Sequence, residues 1–385
     1  MPWAAEDGWE VGELRGRMQR LRGLRERLHL DALVLFSRSS IRYFTGMRTN
    51  TASGSVLAVG SGGEVVWVVP VLDYRLMQGE CWLAAPEEGA IVSFPEDTPD
   101  YLSVLGKHLG PGMRRVGLDK GAVTGSQLDM LFALWPEMEP VGVDGGLLAL
   151  RAVKSATEIG AIRQAAAMAD TAMQEALKLL RPGVRERDIS DRALQVMNDL
   201  GAEGPSFEPF AMSGPNSSLP RRYSSSRQIV AGEPVIFDMG VRHRGYCSDL
   251  TRTFWLGKLP GQMWEVFQVA ELAQRRAVEA VRPGARRAEV DEAARRIIRE
   301  AGYGEYFPHL TGHGVGLDVH EDPIVDRGVE GTLEPGMVLT IEPGVYLPGV
   351  GGARVEDMVL VTADGHEVLT PTPRLIVPPG GNGGL

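Results

Sequence analysis

Residues 181–201 read RPGVRERDISDRALQVMNDLG, and residues 282–302 read RPGARRAEVDEAARRIIREAG. The two segments align without a gap, so that Ile189 matches Val290 in the second copy. The apolar positions stay in helical phase along the whole match, which a chance recurrence of Arg-Pro-Gly does not produce. An internal repeat of this kind predicts a fold built from two similar halves.

Each copy of the repeat leads into an apolar segment that ends in an acid. Residues 232–238 read GEPVIFD, and residues 336–342 read GMVLTIE. Apolar runs of this length are consistent with buried strands. We therefore expect an α+β domain with two helix–helix–strand halves related by a pseudo-two-fold axis, in which Asp238 and Glu342 end equivalent strands.

The first part of the chain has a different pattern, in which helical periodicity alternates with short apolar runs. This alternation predicts an α/β domain. A capping-box pattern at Ser155–Glu158 predicts the start of the next long helix. We expect domains at 1–148 and 149–376, followed by a flexible tail, 377–385, that is rich in proline and glycine. The strands predicted in the first domain are Asp31–Phe36, Ser55–Val59, Val65–Val69, Arg115–Leu118 and Pro140–Val143.

Composition argues against several classes of protein. The chain has 385 residues and a formal net charge of −10, so a broad basic face for nucleic acid is not expected. Cys81 and Cys247 are far apart, which favours a reducing compartment over a disulfide framework. The first residues lack the pattern of a secretory signal, and no apolar run approaches the length of a membrane span. We expect a cytoplasmic protein with no membrane partner.

Two pairs of acids flank predicted turns. Asp238 and Asp249 lie on either side of a short turn at Arg244, and Glu342 and Glu356 flank a glycine-rich turn. If each pair lies on an antiparallel hairpin, its two acids face each other across the hairpin. Carboxylates held together among apolar residues repel each other and resist ionisation unless a cation binds between them. The sequence therefore predicts a site for divalent ions such as Mg²⁺ or Mn²⁺.

A histidine-rich segment, HLTGHGVGLDVH, extends from His309 to His320. An imidazole among the carboxylates shifts the preferred metal toward Mn, Co, Fe or Zn. Glycines on both sides of His313 allow a close approach of the backbone. The alternation after His313 predicts a strand on which His313 and His320 need not share a face. We expect one of these two histidines to bind metal and the other to serve the substrate.

A pair of divalent ions has a limited chemical repertoire. Such ions lower the pKa of a water and polarise a carbonyl, which favours hydrolysis, most naturally of an amide. Proton transfer to the leaving nitrogen then needs a carboxylate near the water. Either Glu342 or Glu356 fits this role.

The order and context of these acids and of His313 resemble the pita-bread metallopeptidases, most closely the Xaa-Pro aminopeptidases and the Xaa-Pro dipeptidases, or prolidases. Residues 33–46, LVLFSRSSIRYFTG, and 151–154, RAVK, also match, so the resemblance covers nearly the whole chain. It implies a creatinase/prolidase-like N-terminal α/β domain, which covers the substrate and supports oligomerisation, and a pita-bread catalytic domain. The matching motifs are FDMG at Asp238, SDLTRTF at Asp249, TGHGVGLDVHE at His313, IEPG at Glu342 and ARVED at Glu356.

The resemblance also implies a cofactor, a substrate and residue roles. It implies two divalent ions per subunit, with Mn²⁺ as the first choice and Co²⁺ or Zn²⁺ as alternatives, and Glu342 as the general acid and base. The substrates would be dipeptides or short peptides with proline in the second position, and the enzyme would be a cytoplasmic homodimer. The implied ligands are Asp238 and Asp249 for one ion, His313 and Glu342 for the other, and Glu356 as a bridge. The implied substrate-binding residues are His309, Arg354 and His320, which would hydrogen-bond near the scissile peptide.

One segment departs from the family pattern. The family typically reads Ser-Gly-x-Asn-Ser-Ala-Leu-Pro-His before the first acid, whereas residues 213–221 read SGPNSSLPR. Arg221 therefore occupies the position of an active-site histidine, and Ser226 replaces a usual aspartate. Arginine can donate hydrogen bonds to an oxyanion or a carboxylate, but it stays charged and cannot exchange protons near neutral pH. Arg222 is expected on the surface, and Arg227 in a structural ion pair.

Three functions remain open at this point. The first is an active Xaa-Pro peptidase in which Arg221 takes part in substrate binding. The second is a metal-binding homologue with altered specificity or weak peptidase activity, because Arg221 replaces the histidine. The third is a non-catalytic binding module, which the complete ligand set disfavours because a buried acid cluster without metal is costly.

Overall fold

The computed structural model describes residues 8–49, 54–95 and 100–373. The predicted flexible tail, 377–385, lies outside these described residues. Within the described ranges, no helix is both long enough and apolar enough to cross a lipid bilayer.

The first compact unit, Met1–Arg151, alternates helices and strands as an α/β domain does. The division expected between residues 148 and 149 lies inside the last helix of this unit, because the helical turn continues to Ala152. Its helices are α1 (Val11–Arg27), α2 (Arg38–Thr45), α3 (Val71–Glu80), α4 (Tyr101–Leu109), α5 (Gly125–Leu134) and α6 (Asp144–Ala152). Its strands are β1 (Ala32–Leu35), β2 (Val56–Val59), β3 (Val65–Pro70), β4 (Ala90–Phe94), β5 (Arg115–Leu118) and β6 (Glu139–Gly142).

These strands form one mixed sheet in the order β4-β3-β2-β1-β5-β6. β2 pairs antiparallel with β1 and β3, and the other neighbours pair in parallel. The predicted strands correspond to β1, β2, β3, β5 and β6. The edge strand β4 is absent from the sequence prediction because several of its residues are only partly buried and do not form a continuous apolar run.

The second compact unit, Ala152–Leu385, contains both copies of the sequence repeat. Its first helix begins with the predicted capping box of Ser155 and Glu158. The helices are α7 (Ala156–Leu177), α8 (Glu186–Asp199), α9 (Gly261–Ala280) and α10 (Arg287–Glu300). The strands are β7 (Gly204–Pro205), β8 (Phe210–Ser213), β9 (Pro234–Met239), β10 (Val241–His243), β11 (Tyr246–Cys247), β12 (Leu250–Trp255), β13 (Gly312–Gly314), β14 (Glu321–Val325), β15 (Val338–Ile341), β16 (Gly344–Leu347), β17 (Gly351–Arg354), β18 (Asp357–Val361) and β19 (His366–Val368).

The two halves of this unit repeat the same hydrogen bonds, which confirms the predicted duplication. Gly183 N donates to Ile229 O at 2.9 Å, and in the other half Gly284 N donates to Leu333 O at 2.8 Å. Both glycines have positive φ angles, 88° and 76°, which a side chain would strain. The helix pair α7 and α8 packs on β9 in one half, and α9 and α10 pack on β15 in the other.

Arg252 on β12 is completely buried and joins the end of the described chain to the sheets. Its Nη2 donates to the carbonyls of Thr370 and Thr372 at 3.1 and 2.6 Å, and forms an ion pair with Asp357 at 2.8 Å. Its Nη1 also donates to the carbonyl of Glu356. One guanidinium therefore holds both the chain around residues 370–372 and the backbone beside a predicted metal ligand.

Replacing Arg252 by methionine is expected to lower the free energy of unfolding by about 3–5 kcal/mol, because the buried ion pair between Arg252 and Asp357 is lost. Urea unfolding followed by circular dichroism measures this loss. The matched control is Arg163→Met, which removes the exposed ion pair between Arg163 and Glu367 and should cost less than about 1 kcal/mol. Equal losses in the two variants would contradict the importance given to Arg252.

Candidate metal centre

The first acid pair lies on a hairpin whose register differs from the prediction. β9 pairs with β12 so that Asp238 faces Thr251, and Asp249 lies two residues earlier on the same face of the hairpin. The turn consists of Arg244 and Gly245, whose φ angles of 49° and 84° are both positive, as in the tight turns that join twisted strands. The prediction that the two aspartates face each other is wrong, because the turn lies one residue further along the chain than a facing pair requires.

The two acids of the second pair face each other across the hairpin, as predicted. The register of β15 with β18, continued by that of β16 with β17, places Glu342 directly across from Glu356. Glu356 is 1% exposed, and its backbone NH donates to the carbonyl of Thr251 at 3.1 Å. This bond joins the second acid pair to the hairpin that carries the first.

His313 enters the site from the short strand β13 and is 2% exposed. Its Nε2 lies 3.2 Å from Glu342 Oε1 and 3.6 Å from Asp249 Oδ2. The glycines on both sides are required, since a Cβ at Gly312 or Gly314 would meet a backbone carbonyl oxygen at 1.9 or 2.1 Å. The close approach expected from the sequence is therefore present.

The prediction of a continuous strand after His313 is wrong. β13 ends at Gly314, which pairs with Glu321 on β14, so the chain reverses through a series of bends at 316–320. As a result the rings of His313 and His320 are neighbours, with centroids 4.2 Å apart. An extended strand would have separated these two residues by about 23 Å.

Three of the predicted ligands form a group that suits a metal ion. Ligand atoms of Asp249, His313 and Glu356 lie within 4.8 Å of one another, and all three residues are buried. Two buried oxygens, Asp238 Oδ1 and Glu356 Oε1, have no hydrogen-bond partner in the described part of the chain. Such oxygens are costly unless something satisfies them. Carboxylates with one imidazole are a donor set for divalent ions such as Mn²⁺, Co²⁺ or Zn²⁺, so the residues present fit a divalent metal.

Burial and mutual repulsion act strongly on the carboxyl groups. Burial, followed by the charges of Glu356 and Asp238, raises the pKa of Asp249 well above its usual value. Burial, followed by the charges of Glu342 and Asp238, does the same to the pKa of Glu356. Burial also opposes ionisation of Glu342, but its contact with His313 and the charges of His309 and Arg354 together outweigh burial and lower its pKa to about 2. Against the effect of burial, the same contact raises the pKa of His313.

Arg354 on β17 connects the first acid pair to the wall of the site. Its Nη2 binds Asp238 Oδ2 at 2.5 Å, and its Nε donates to Thr251 Oγ1 at 3.1 Å. Thr251 in turn donates to Glu356 Oε2 at 2.6 Å. Asp238 and Glu356 therefore each have one oxygen held by a donor and one oxygen left for a cation. No sequence pattern distinguishes Thr251, because threonine is a common residue within strands.

The predicted residues converge on one cavity of about 280 Å³. Apolar side chains of Phe207, Phe210 and Leu310 share the lining with the charged groups. A cavity that combines apolar side chains with fixed polar groups suits a small ligand with both kinds of group. The predicted residues in the lining are the ligands Asp238, Asp249, His313, Glu342 and Glu356 and the substrate residues His309, His320, Arg354 and Arg221.

His309 and His320 differ in their hydrogen bonds. His309 Nδ1 donates to Leu310 O at 2.8 Å, so its Nε2 accepts from the hydroxyl of Tyr346 at 2.8 Å. Arg354 Nη1 donates to the same hydroxyl at 2.7 Å. Both ring nitrogens of His309 are therefore used within the protein, whereas the ring of His320 has no hydrogen bond within the described ranges. Tyr346, which organises this chain of bonds, is not identified by sequence analysis.

The arginines that follow Leu219 have three different surroundings. Arg221 lines the cavity, and its side chain is exposed. Arg222 is exposed, as predicted. Arg227 forms a two-pronged ion pair with Glu233 at 2.5 and 2.6 Å, which confirms its structural role.

Comparisons with known proteins find similar proteins for both parts of the chain. A family model described as metallopeptidase family M24 matches residues 160–363, and one described as the creatinase/prolidase N-terminal domain matches residues 17–153. The Xaa-Pro dipeptidase of Pyrococcus furiosus is 34% identical over 361 residues, covering 94% of this chain and 99% of that protein. The prolidase structure from Pyrococcus horikoshii matches with a TM-score of 0.86 at 32% identity, covering 93% and 99% of the two chains. The X-Pro aminopeptidase structure from Thermotoga maritima matches with a TM-score of 0.82 at 29% identity, covering 93% and 98%.

Metal binding is expected to stabilise the protein, and Asp249 is expected to contribute to this effect. Mn²⁺ at about 100 times its Kd should add about 2.7 kcal/mol to the free energy of unfolding of the metal-free protein. Asp249→Asn should reduce the Mn²⁺-dependent rise in Tm, because one metal ligand is lost. It should leave the Tm of the metal-free protein unchanged or higher, because one repelling carboxyl is removed.

The control for this experiment is Asp170→Asn. Asp170 is a buried carboxylate outside the cavity that accepts a hydrogen bond from Thr372 N at 3.0 Å. Its replacement removes a buried acid outside the cavity and should keep the Mn²⁺-dependent rise. Differential scanning calorimetry with and without Mn²⁺ measures both effects, and a rise in Asp249→Asn as large as that of the wild type would refute the ligand assignment.

Proposed function

Because the chain belongs to metallopeptidase family M24, we propose that it hydrolyses the bond before proline in Xaa-Pro dipeptides or at the N-terminus of short peptides. The observation that carries the proposal is the convergence of the complete acid and histidine set on one cavity. Over 94% of its length the chain is similar to a relative named Xaa-Pro dipeptidase, and it is also similar to a structure named X-Pro aminopeptidase. The two family matches confirm the fold class of a creatinase/prolidase N-terminal domain followed by a pita-bread domain.

The proposal includes two divalent ions per subunit, for which Mn²⁺ is the first choice and Co²⁺ or Zn²⁺ are alternatives. Asp238 and Asp249 would hold one ion, His313 and Glu342 the other, and Glu356 would hold both. The unpartnered oxygens of Asp238 and Glu356 support this arrangement. When bound, such ions polarise the substrate carbonyl and lower the pKa of a water.

Glu342 is proposed as the group that moves the proton. Its carboxylate would take a proton from the water that attacks the carbonyl carbon, and would pass it to the proline nitrogen as the C–N bond breaks. His320, whose ring nitrogens are not used by the described chain, would hydrogen-bond near the scissile peptide. His309, whose nitrogens are both used, would instead hold Tyr346 and Arg354 in place.

A second candidate function is the same metal site with altered specificity or weak activity toward proline peptides. It is favoured by Arg221, whose exposed guanidinium lines the cavity and has no hydrogen bond or ion pair within the described ranges. A free guanidinium there would bind a carboxylate of the substrate through charge-assisted hydrogen bonds. In a dipeptide, the C-terminal carboxylate is the group that would meet it.

We also propose that the enzyme is a cytoplasmic homodimer, as the resemblance implies. Cys81 and Cys247 are both free and buried, which is consistent with a reducing compartment. Light scattering coupled to size-exclusion chromatography tests the dimer.

The central test is a turnover panel with Mn²⁺, Co²⁺ and Zn²⁺. It compares an Xaa-Pro dipeptide, an Xaa-Pro tripeptide and an Xaa-Ala dipeptide. We expect metal-dependent cleavage of the proline substrates, and at least about a 10²-fold lower kcat in Glu342→Gln, because the proton carrier is lost. No turnover with any metal would refute the peptidase function, and equal turnover of the alanine control would refute the preference for proline.

The role of Arg221 is tested by comparing an Xaa-Pro dipeptide with its C-terminal amide. Arg221→Gln should lower kcat/KM for the free dipeptide by about 10-fold to 100-fold, the range of a lost charged hydrogen bond, and should change the amide little. Arg222→Gln, at the exposed neighbouring residue, is the matched control and should change neither substrate. Arg221→His should raise activity or change substrate choice; if it changes neither, Arg221 lies outside the active site.

A further inference from the structure

The segment 213–225, named here the substrate loop, carries two groups that face the proposed site. Arg221 lines the cavity, and the carbonyl of Pro220 accepts a hydrogen bond from Arg354 Nη1 at 2.8 Å. On its other side the loop meets the β16–β17 hairpin, because Ser217 Oγ accepts from Gly352 N at 3.0 Å. The position of this loop therefore affects the cavity wall.

Glu186, the first residue of α8, binds the substrate loop at its beginning, its end and a point between. The side chain is completely buried. Its Oε1 accepts from Ser213 N at 2.6 Å and from Ser213 Oγ at 2.8 Å. Its Oε2 accepts from Ser225 N at 3.1 Å and from Ser225 Oγ at 2.5 Å. Asn216 Nδ2 donates to both oxygens, at 2.9 and 3.1 Å.

The groups around this carboxylate are all donors toward it, so a carboxylate is the side chain that satisfies them. Although burial opposes ionisation of Glu186, the hydrogen bonds from Ser225, Ser213 and Asn216 outweigh it and lower its pKa. A neutral amide of the same shape would turn an NH₂ group toward donors and leave buried groups unpaired. The negative charge of Glu186 is therefore part of what closes the loop.

The duplicated half shows that the fold itself does not require an acid at this position. In the repeat alignment Glu186 corresponds to Arg287, the first residue of α10. The backbone bond is retained, since Glu186 N donates to Arg227 O at 3.0 Å and Arg287 N donates to Gly331 O at 3.1 Å. The side chains differ, and Arg287 instead lies 3.7 Å from Asp322. The carboxylate is thus specific to the half that carries the substrate loop.

We propose that Glu186 is a positioning residue that closes the substrate loop and so sets the place of the Pro220 carbonyl and of Arg221. Glu186 is not part of the cavity lining and acts only through the loop. Loss of its charge should open the loop, weaken substrate binding and leave metal binding intact. The kinetic part of this inference rests on the proposed peptidase function, whereas the structural part does not.

Limited trypsin digestion tests the loop without any need for enzymatic activity. The exposed residues Arg221 and Arg222 place tryptic sites within the loop. We expect cleavage at these sites, identified by mass spectrometry, to be at least about 10-fold faster in Glu186→Gln than in the wild type, since the opened loop is more often accessible. An unchanged cleavage rate in a folded Glu186→Gln protein would overturn the proposal.

The matched control is Glu158→Gln. Glu158 is also a buried carboxylate in the first turn of a helix, and it accepts from Ser155 N at 2.9 Å and from Tyr246 Oη at 2.7 Å. This variant should lose a similar amount of thermal stability and keep the wild-type cleavage rate at Arg221. Equal acceleration in both variants would show a general loss of stability and would overturn the proposal.

Kinetics and metal titration separate positioning from a general defect. In Glu186→Gln, KM for the Xaa-Pro dipeptide should rise by about 10-fold and kcat should fall less, while Mn²⁺ affinity measured by calorimetry stays within about twofold. Glu186→Asp keeps the charge, so its KM should lie between that of Glu186→Gln and that of the wild type. If Glu186→Gln does not fold, Ser225→Ala removes the hydroxyl donor to Oε2 and keeps the backbone donor, and it should show a smaller effect in the same direction in both assays. If no variant or wild type has activity, the peptidase function fails, and the trypsin and Mn²⁺ results still decide the role of Glu186.

Discussion

The main physical constraint on this structure is the repulsion between carboxylates that are buried side by side. Asp249 and Glu356 are both almost fully buried, and burial together with the charges of neighbouring carboxylates raises the pKa of each. A fold that places such groups together is stable only if something offsets the repulsion. The oxygens of Asp238 and Glu356 that lack a partner in the described chain are where a cation would do this. A cation bound there would therefore also stabilise the catalytic domain.

Hydrogen-bond donors around the site hold Asp238 and Glu356 from one side only. Arg354 binds one oxygen of Asp238, and Thr251 binds one oxygen of Glu356. Arg252, the next residue along β12, binds the backbone carbonyl of Glu356. Donors thus fix the direction of the carboxylates without satisfying them fully. Second-sphere bonds of this kind orient ligands, and they leave the remaining oxygens available to a metal.

The duplication explains why the site is so regular and also where the two halves differ. Equivalent helices begin with the same backbone bonds at Gly183 and Gly284, and each half supplies one pair of acids. The halves differ in what the first helical turn binds with its side chains. Glu186 binds the substrate loop in one half, whereas Arg287 lies near Asp322 in the other. The backbone arrangement is common to both halves, whereas the side chain at the start of the helix binds the substrate loop in one half only.

Sequence alone determined the duplication, the acid at the end of each main strand and the family, because helical phase, strand composition and motif order are local properties. It also determined the opposition of Glu342 and Glu356. Only the tertiary structure decided the register of Asp238 with Thr251, which depends on which two residues take the positive φ angles of the turn. The neighbouring rings of His313 and His320, and the role of Glu186 in closing a loop that ends 39 residues later, also depend on chain reversals that no local pattern encodes.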